Sequence, residues 1–138
     1  MKELTKEEMR TLWVHMLDVI DAWCRSNGVN YSLSSGTLIG ALRHKGFIPW
    51  DDDIDIGMPR EDYERFVRSF NCAYPGTQLM SPELDPRFCM PFAYVYREDT
   101  LLIEEKITYH NFPIGVKVDV FPLDGAPSDY TLYLAKRN

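Results

Sequence analysis

Cysteine is scarce in this chain, and the three present, Cys24, Cys72 and Cys89, are odd in number and show no paired CxxC spacing. Neither a disulfide framework nor a structural zinc site follows from them, and reduced, mostly buried thiols are expected. Long apolar runs are also missing. No window approaches the ~20 residues of a membrane span, and the opening MKELTKEEMR is charged where a signal peptide needs an apolar stretch. The expectation is a cytoplasmic protein with no transmembrane segment. Positive charge is outweighed, with 15 Lys and Arg against 21 Asp and Glu for a net charge of -6. The basic footprint of a nucleic-acid binder is therefore lacking, and no polynucleotide partner is expected. No repeat, low-complexity tract or linker interrupts the 138 residues, 45% of them hydrophobic, so residues 1–138 read as a single domain closing one core.

What is present is a sequence of short, alternating element types. Thr5 and Glu8 form a capping-box signature, and Met9, Leu12, Met16, Val19, Ile20 and Trp23 recur at helical spacing up to Asn27-Gly28. Val29, Tyr31 and Leu33 alternate as a short strand, the turn Ser34-Ser35-Gly36 follows, and a second helix is expected from Thr37 with Gly46 as its left-handed cap. Asp53-Ile54-Asp55-Ile56 reads as a strand with both acids on one face, and Pro59 is placed to open a helix whose stripe is Tyr63, Phe66, Val67 and Phe70. Residues 75–91, rich in turn formers, read as an irregular connection. Phe92 to Tyr96 and Leu101 to Glu104 read as strands of a hairpin turning at Arg97-Glu98-Asp99-Thr100. In Gly115 to Phe121 the valines take one face of a strand, so Lys117 and Asp119 emerge together on the other. The chain ends soon after a Tyr/Leu-rich run with no final element clearly completed, which leaves it readable as a fragment.

The chemistry concentrates between Ser35 and Ile56. Asp51, Asp52, Asp53 and Asp55 fall within five positions, an arrangement that is unfavourable unless a cation sits among them, because close carboxylates repel and raise one another's pKa. Hard oxygen ligands without His or Cys suit magnesium, or manganese, completed by water and substrate phosphate. Asp53 and Asp55, about 6.5–7 Å apart as alternate strand residues, are the expected ligand pair. Upstream, a Ser-Gly-Thr bend opening a helix exposes free backbone N–H groups at the positive end of the helix dipole, where phosphate fits. Gly36 would allow close approach, Thr37 offers a hydroxyl, and Arg43 or Lys45 offers charge. An ordinary helix N-cap would use the same turn without any ligand. His44 has no sequence-local partner, Trp50 is expected to pack beside the acids, and Asp119 alone would equally well face solvent.

The block GTLIGALRHKGFIPWDDDIDIGMPREDYERF, together with KVDVFPLDG, closely resembles the LicD family, which includes the fukutin-related proteins. The resemblance runs from about Tyr31 to Gly125. It implies an α+β fold with a nucleotidyltransferase-like mixed sheet flanked by helices, and transfer of phosphocholine from CDP-choline to a hydroxyl of a cell-surface glycan or glycolipid. It further implies that Gly36 and Thr37 form the phosphate-side turn, that Asp53 and Asp55 hold metal, and that Asp119 is the third acid, with catalysis and metal binding shared among the three. Lys117 joins Gly36, Thr37 and Arg43 as an expected substrate-binding residue. Asp51 and Asp52 stay unassigned. The family usually continues well beyond the VDVFPLD-like segment, so the chain is expected to lack C-terminal elements.

Three other readings compete. A sugar-nucleotide glycosyltransferase with a DxD element explains the acids but not the helix entrance before them. A catalytically silent nucleotide- or metal-binding fragment remains open. An EF-hand would use Asp51, Asp53 and Asp55, but its sixth position is Ile56 instead of glycine and its twelfth is Asp62 instead of glutamate.

Overall fold

The computed structural model describes residues 2–103, 112 and 114–137. It is an α+β arrangement around one five-stranded mixed sheet, which agrees with the expected fold class. Helix α1 (Lys6–Asn27) begins at the capping box, where Thr5 and Glu8 exchange hydrogen bonds, and ends at Gly28, whose φ of 62 only glycine adopts freely. Strand β1 (Ser32–Leu33) is followed by α2 (Ser35–Arg43), β2 (Asp55–Pro59), α3 (Arg60–Ser69), a single 3₁₀ turn at Phe70–Cys72, β3 (Thr77–Met80), β4 (Ala93–Arg97), β5 (Lys117–Leu123) and α4 (Tyr130–Arg137). The strands lie in the order β1-β2-β5-β4-β3. Among the described strands β2 and β5 run parallel and the other pairs are antiparallel.

Strand alternation divides the sheet into two faces. Ile56, Met58, Ala93, Val95, Val118 and Val120 enter the main core, where they meet Met16, Ile20 and Trp23 of α1 and Tyr63, Phe66 and Val67 of α3. On the other face Tyr94 and Tyr96 join Phe88, with Met80, Met90, Phe112 and Ile114 packed around them.

Several boundaries differ from expectation for local reasons. The second helix starts at Ser35 and ends at the His44 cap, and the left-handed residue beyond it is Lys45 (φ 55) rather than Gly46. Gly40 rather than Gly46 is required at this helix end, because a Cβ at Gly40 would collide with the Gly46 carbonyl whereas Gly46 has open space around it. The acidic strand begins only at Asp55. Residues 75–91 are not wholly irregular: Thr77–Met80 forms β3, whose mixed composition gains strand character from pairing with β4. Leu101–Ile103 form no strand, and Glu104 lies outside the described residues. The neighbours of β4 are β3 and β5, and Thr100 and Leu102 instead bond to the approach to β5 through Val116 N to Thr100 Oγ1 (2.8 Å) and Leu102 N to Ile114 O (2.8 Å). The Tyr/Leu-rich end forms α4. Cys24 is buried as expected, whereas Cys89 is exposed.

Candidate functional site

Local sequence brings the acidic loop against the start of α2. Residues 46–51 run back along the helix, with Asp51 N bonded to Ile48 O and the Asp51 carboxylate resting on Gly36. A Cβ at Gly36 would lie 2.7 Å from Asp51 Oδ2, so glycine here makes room for that carboxylate. Asp51 Oδ2 is buried with no hydrogen-bond partner among the described residues. A buried, unpaired carboxylate oxygen is costly, and the positive end of α2 offsets part of that cost.

The next residues are fixed from both sides. Asp55 N–H donates to Thr37 Oγ1 at 2.9 Å, Ser34 N–H donates to Asp55 O at 3.0 Å, and Asp119 N–H donates to Ile54 O at 2.9 Å. Thr37 therefore positions β2 while its own hydroxyl proton is available to donate elsewhere. Ser35 sits in the left-handed region (φ 47) as the first residue of α2, an uncommon conformation for a non-glycine residue, and its hydroxyl bonds to the Asp55 carboxylate. In the sequence, Ser35 carries no signal of this role beyond its place in the Ser-Ser-Gly turn.

Parallel pairing of β2 and β5 sets Asp55 directly opposite Asp119, so the two carboxylates share a face although 64 positions separate them in sequence. Asp119 is 7% exposed and accepts both available bonds from Lys117 Nζ, at 2.5 and 2.6 Å. Lys117 also lies 5.9 Å from the Tyr94 ring. Burial pushes the Asp53 carboxyl up to about 6, and Asp55, Asp51, Asp52 and Asp119 add to the rise in that order. Asp55 is raised by burial and by Asp119, against the lowering influence of Ser35 and Lys117. Asp119 is raised by burial, against Lys117. All five acids thus occupy one electrostatic neighbourhood. Within it, one carboxylate oxygen from each of Asp51, Asp52 and Asp53 lies within 4.8 Å of the others. Oxygen donors held this close, one of them the orphaned buried oxygen of Asp51 and another from the raised Asp53 carboxyl, fit a hard divalent cation.

Other expected residues fall elsewhere. Arg43 is in the last turn of α2, at the opposite end from Gly36, roughly 10 Å along the axis. Trp50 does not pack beside the acids: it is 75% exposed, with its ring edge-on to His44 at 6.4 Å. Asp62, the twelfth position of the EF-hand reading, is buried in α3 and accepts from the backbone and side chain of Asn30, so it is no loop ligand. Arg60 and Asp124 form a paired bond at 2.7 Å that ties the start of α3 to the end of β5.

This geometry accompanies a family match. Residues 28–125 match the family described as LicD/FKTN/FKRP, nucleotidyltransferase domain. The chain belongs to the LicD family. It is similar to the lipopolysaccharide cholinephosphotransferase LicD of Haemophilus influenzae, 55% identical over 67 residues that make up 49% of this chain and 25% of the relative. It is also similar to human ribitol 5-phosphate transferase FKRP, 54% identical over 35 residues, 25% of this chain and 7% of the relative. Mannosyltransferase regulator 4 of Saccharomyces cerevisiae is 32% identical over 66 residues, 48% of this chain and 6% of the relative. These matches span a quarter or less of each relative's length.

Proposed function

We propose that this chain forms the donor side of a phospho-alcohol transferase that moves phosphocholine from CDP-choline to a hydroxyl of a cell-surface glycan or glycolipid precursor, at the cytoplasmic side. The observation that carries the reading is the pairing of Asp55 with Asp119 across β2 and β5, beside an Asp53 whose proton affinity is raised by burial and by its acidic neighbours. The similarity to a cholinephosphotransferase and a ribitol 5-phosphate transferase supports the same chemistry.

In this reading Asp53, Asp55 and Asp119 would hold magnesium, or manganese, with Asp51 and Asp52 adjoining, and the bound metal would supply charge to offset that developing on the reacting oxygens. The acceptor oxygen attacks the choline-side phosphorus, the phosphorus–oxygen bond to CMP breaks, and CMP leaves. The acceptor's proton goes to Asp119, which Lys117 holds in one orientation. Ser35 and Thr37 keep Asp55 in register, and Gly36 seats the Asp51 carboxylate at the start of α2.

The test incubates the purified chain with magnesium, a hydroxyl-bearing glycan or glycolipid acceptor, and CDP-choline, CDP-ribitol or CDP-glycerol, and follows CMP release. Release from CDP-choline is expected, falling about 100-fold or more in Asp55→Asn and Asp119→Asn. Turnover of a sugar nucleotide instead would return the glycosyltransferase reading. The short span of the relatives that is matched favours one second reading, a donor-binding unit without turnover, which would give magnesium-dependent protection by CDP-choline and no CMP.

A further inference from the structure

A cavity of about 370 Å³ opens between α1 and α2, lined by Val14, Leu17, Leu33, Ala41, Phe47 and Ile54, with Thr37 and Lys45 the polar members of its wall. Phe47 is held by the Trp13 ring at 5.9 Å and by the Arg10 guanidinium at 5.4 Å. The apolar surface continues outside. At 100° per residue around α2, Thr37 and Ala41 face the cavity, Leu38 and Leu42 come next, and Ile39 and Arg43 follow. Leu38, Ile39 and Leu42 are all exposed, and Val14 is exposed on the α1 rim. Cavity and shelf therefore form one continuous apolar surface, which a water-facing helix has no reason to carry.

Its charge differs from that of the rest of the molecule. The whole chain carries a net charge of -6, yet residues 33–50 contain no Asp or Glu and do contain Arg43, His44 and Lys45. Lys6 and Arg10 add positive charge at the adjoining loop, where they bond to Pro49 O and Ile48 O. Trp50 projects from this loop beside His44. Glu7 and Asp18, two turns before and one turn beyond Val14 on α1, and Asp51 to Asp53 mark the limits of the patch. Exposed leucines and isoleucine, a projecting tryptophan and a cationic rim are what a surface in contact with acyl chains and lipid phosphates requires.

We propose that the α1–α2 face docks on an anionic bilayer surface, with Leu38, Ile39, Leu42 and Trp50 entering the interface and Arg43 and Lys45 meeting lipid phosphates. Docking stands independently of the transferase reading. If both hold, the acids at the start of α2 lie next to the membrane, where a glycolipid acceptor would present its hydroxyl.

The experiment mixes the protein with vesicles of phosphatidylcholine alone or with added phosphatidylglycerol, and reads sedimentation and tryptophan emission. Trp13 and Trp23 are 5% and 7% exposed, so a change in emission reports Trp50. The expected result is sedimentation with anionic vesicles and a blue shift. Binding should fall about five-fold or more in Leu42→Gln, a change at a 66% exposed position. Lys45→Gln should reduce the preference for anionic over neutral vesicles by about five-fold. Leu132→Gln, at an exposed position on α4, should bind as wild type does. Thermal melts check that each variant is folded. Absence of sedimentation at both compositions, equal binding of wild type and Leu42→Gln, or binding with unchanged emission would each overturn the proposal.

Discussion

Along one face of the sheet a single cross-strand row runs from Asp55 through Asp119 and Tyr94 to Met80, and its two ends are held in opposite ways. At the aromatic end Phe88 meets Tyr94 at 5.3 Å and Phe112 at 5.5 Å, and Tyr94 meets Tyr96 at 5.8 Å. Burial pushes the Tyr94 hydroxyl up to about 12, so this end stays neutral and gains from every area it removes from water. At the acidic end burial acts against the charges: Asp53, Asp55 and Asp119 are all raised, and Lys117 relieves only part of this. The same physical operation, removal from water, stabilises one end and destabilises the other. A fold retains such a conflict where a ligand resolves it, which is why the acidic end reads as the functional one.

The largest effect should come from breaking the aromatic end. Phe88→Ala removes a buried ring and should cost about 3–4 kcal/mol, measured by denaturant unfolding, while leaving any gain from magnesium unchanged. The acidic end should respond in the opposite sense. Asp53→Asn removes one of the mutually repelling charges, so without metal it should melt no lower than wild type. Wild type should gain about 2.7 kcal/mol when free magnesium reaches a hundred times its dissociation constant, and Asp53→Asn and Asp55→Asn much less. Asp99→Asn, whose carboxylate pairs with Arg97 at an exposed turn, is the control and should keep the full gain. Thermal unfolding with chelator and with magnesium reads all four proteins. Equal gains in all of them would make the acids ordinary surface charges.

How much of this was legible depends on how local the cause is. The α1 cap, the Gly28 terminator and the α3 stripe of Tyr63, Phe66, Val67 and Phe70 follow from spacing alone, and each appears where expected. The shared face of Lys117 and Asp119 follows from strand alternation and is equally clear. Their placement beside Asp55 depends on a parallel pairing across 64 positions of sequence, which no local pattern specifies; the resemblance supplied that expectation. Strand β3 was missed because its pairing with β4, rather than its own composition, makes it a strand. Ser35 was missed because a left-handed serine is a product of the folded loop, and Trp50 was expected to be covered because tryptophan usually is. The exchange of Leu101–Ile103 for β5 as the neighbour of β4 has the same origin: a hairpin turn was visible, but the competing long-range partner was not.

The smallest expected effect is the pH dependence of the metal-free acidic end, and its sign is the sharpest test of the contrast. Asp53 is raised from its ordinary value of 3.8 to about 6, chiefly by burial. The folded state therefore binds this proton more tightly than the unfolded state. Below about pH 4 the group is protonated in both states and imposes no penalty. As pH rises through the folded value near 6, the unfolded chain has already lost the proton and the folded chain must give it up at a cost, so stability falls and then levels off. With solvent screening of a partly exposed carboxylate, the loss from this group should be about 1 kcal/mol. Denaturant unfolding with chelator at pH 4, 5, 6 and 7 should show the wild-type curve declining relative to that of Asp53→Asn over this range. Comparing the two proteins cancels Glu8 and Asp85, which are lowered to about 2 by hydrogen bonds from Lys2 and Arg87 respectively and lose their contributions only in stronger acid. Magnesium should reverse the trend, because it competes with protons for the same oxygens and binds better as pH rises. Parallel metal-free curves would show that Asp53 is as well solvated as any surface carboxylate, and the acidic end of the row would then differ from the aromatic end in composition but not in stored electrostatic cost.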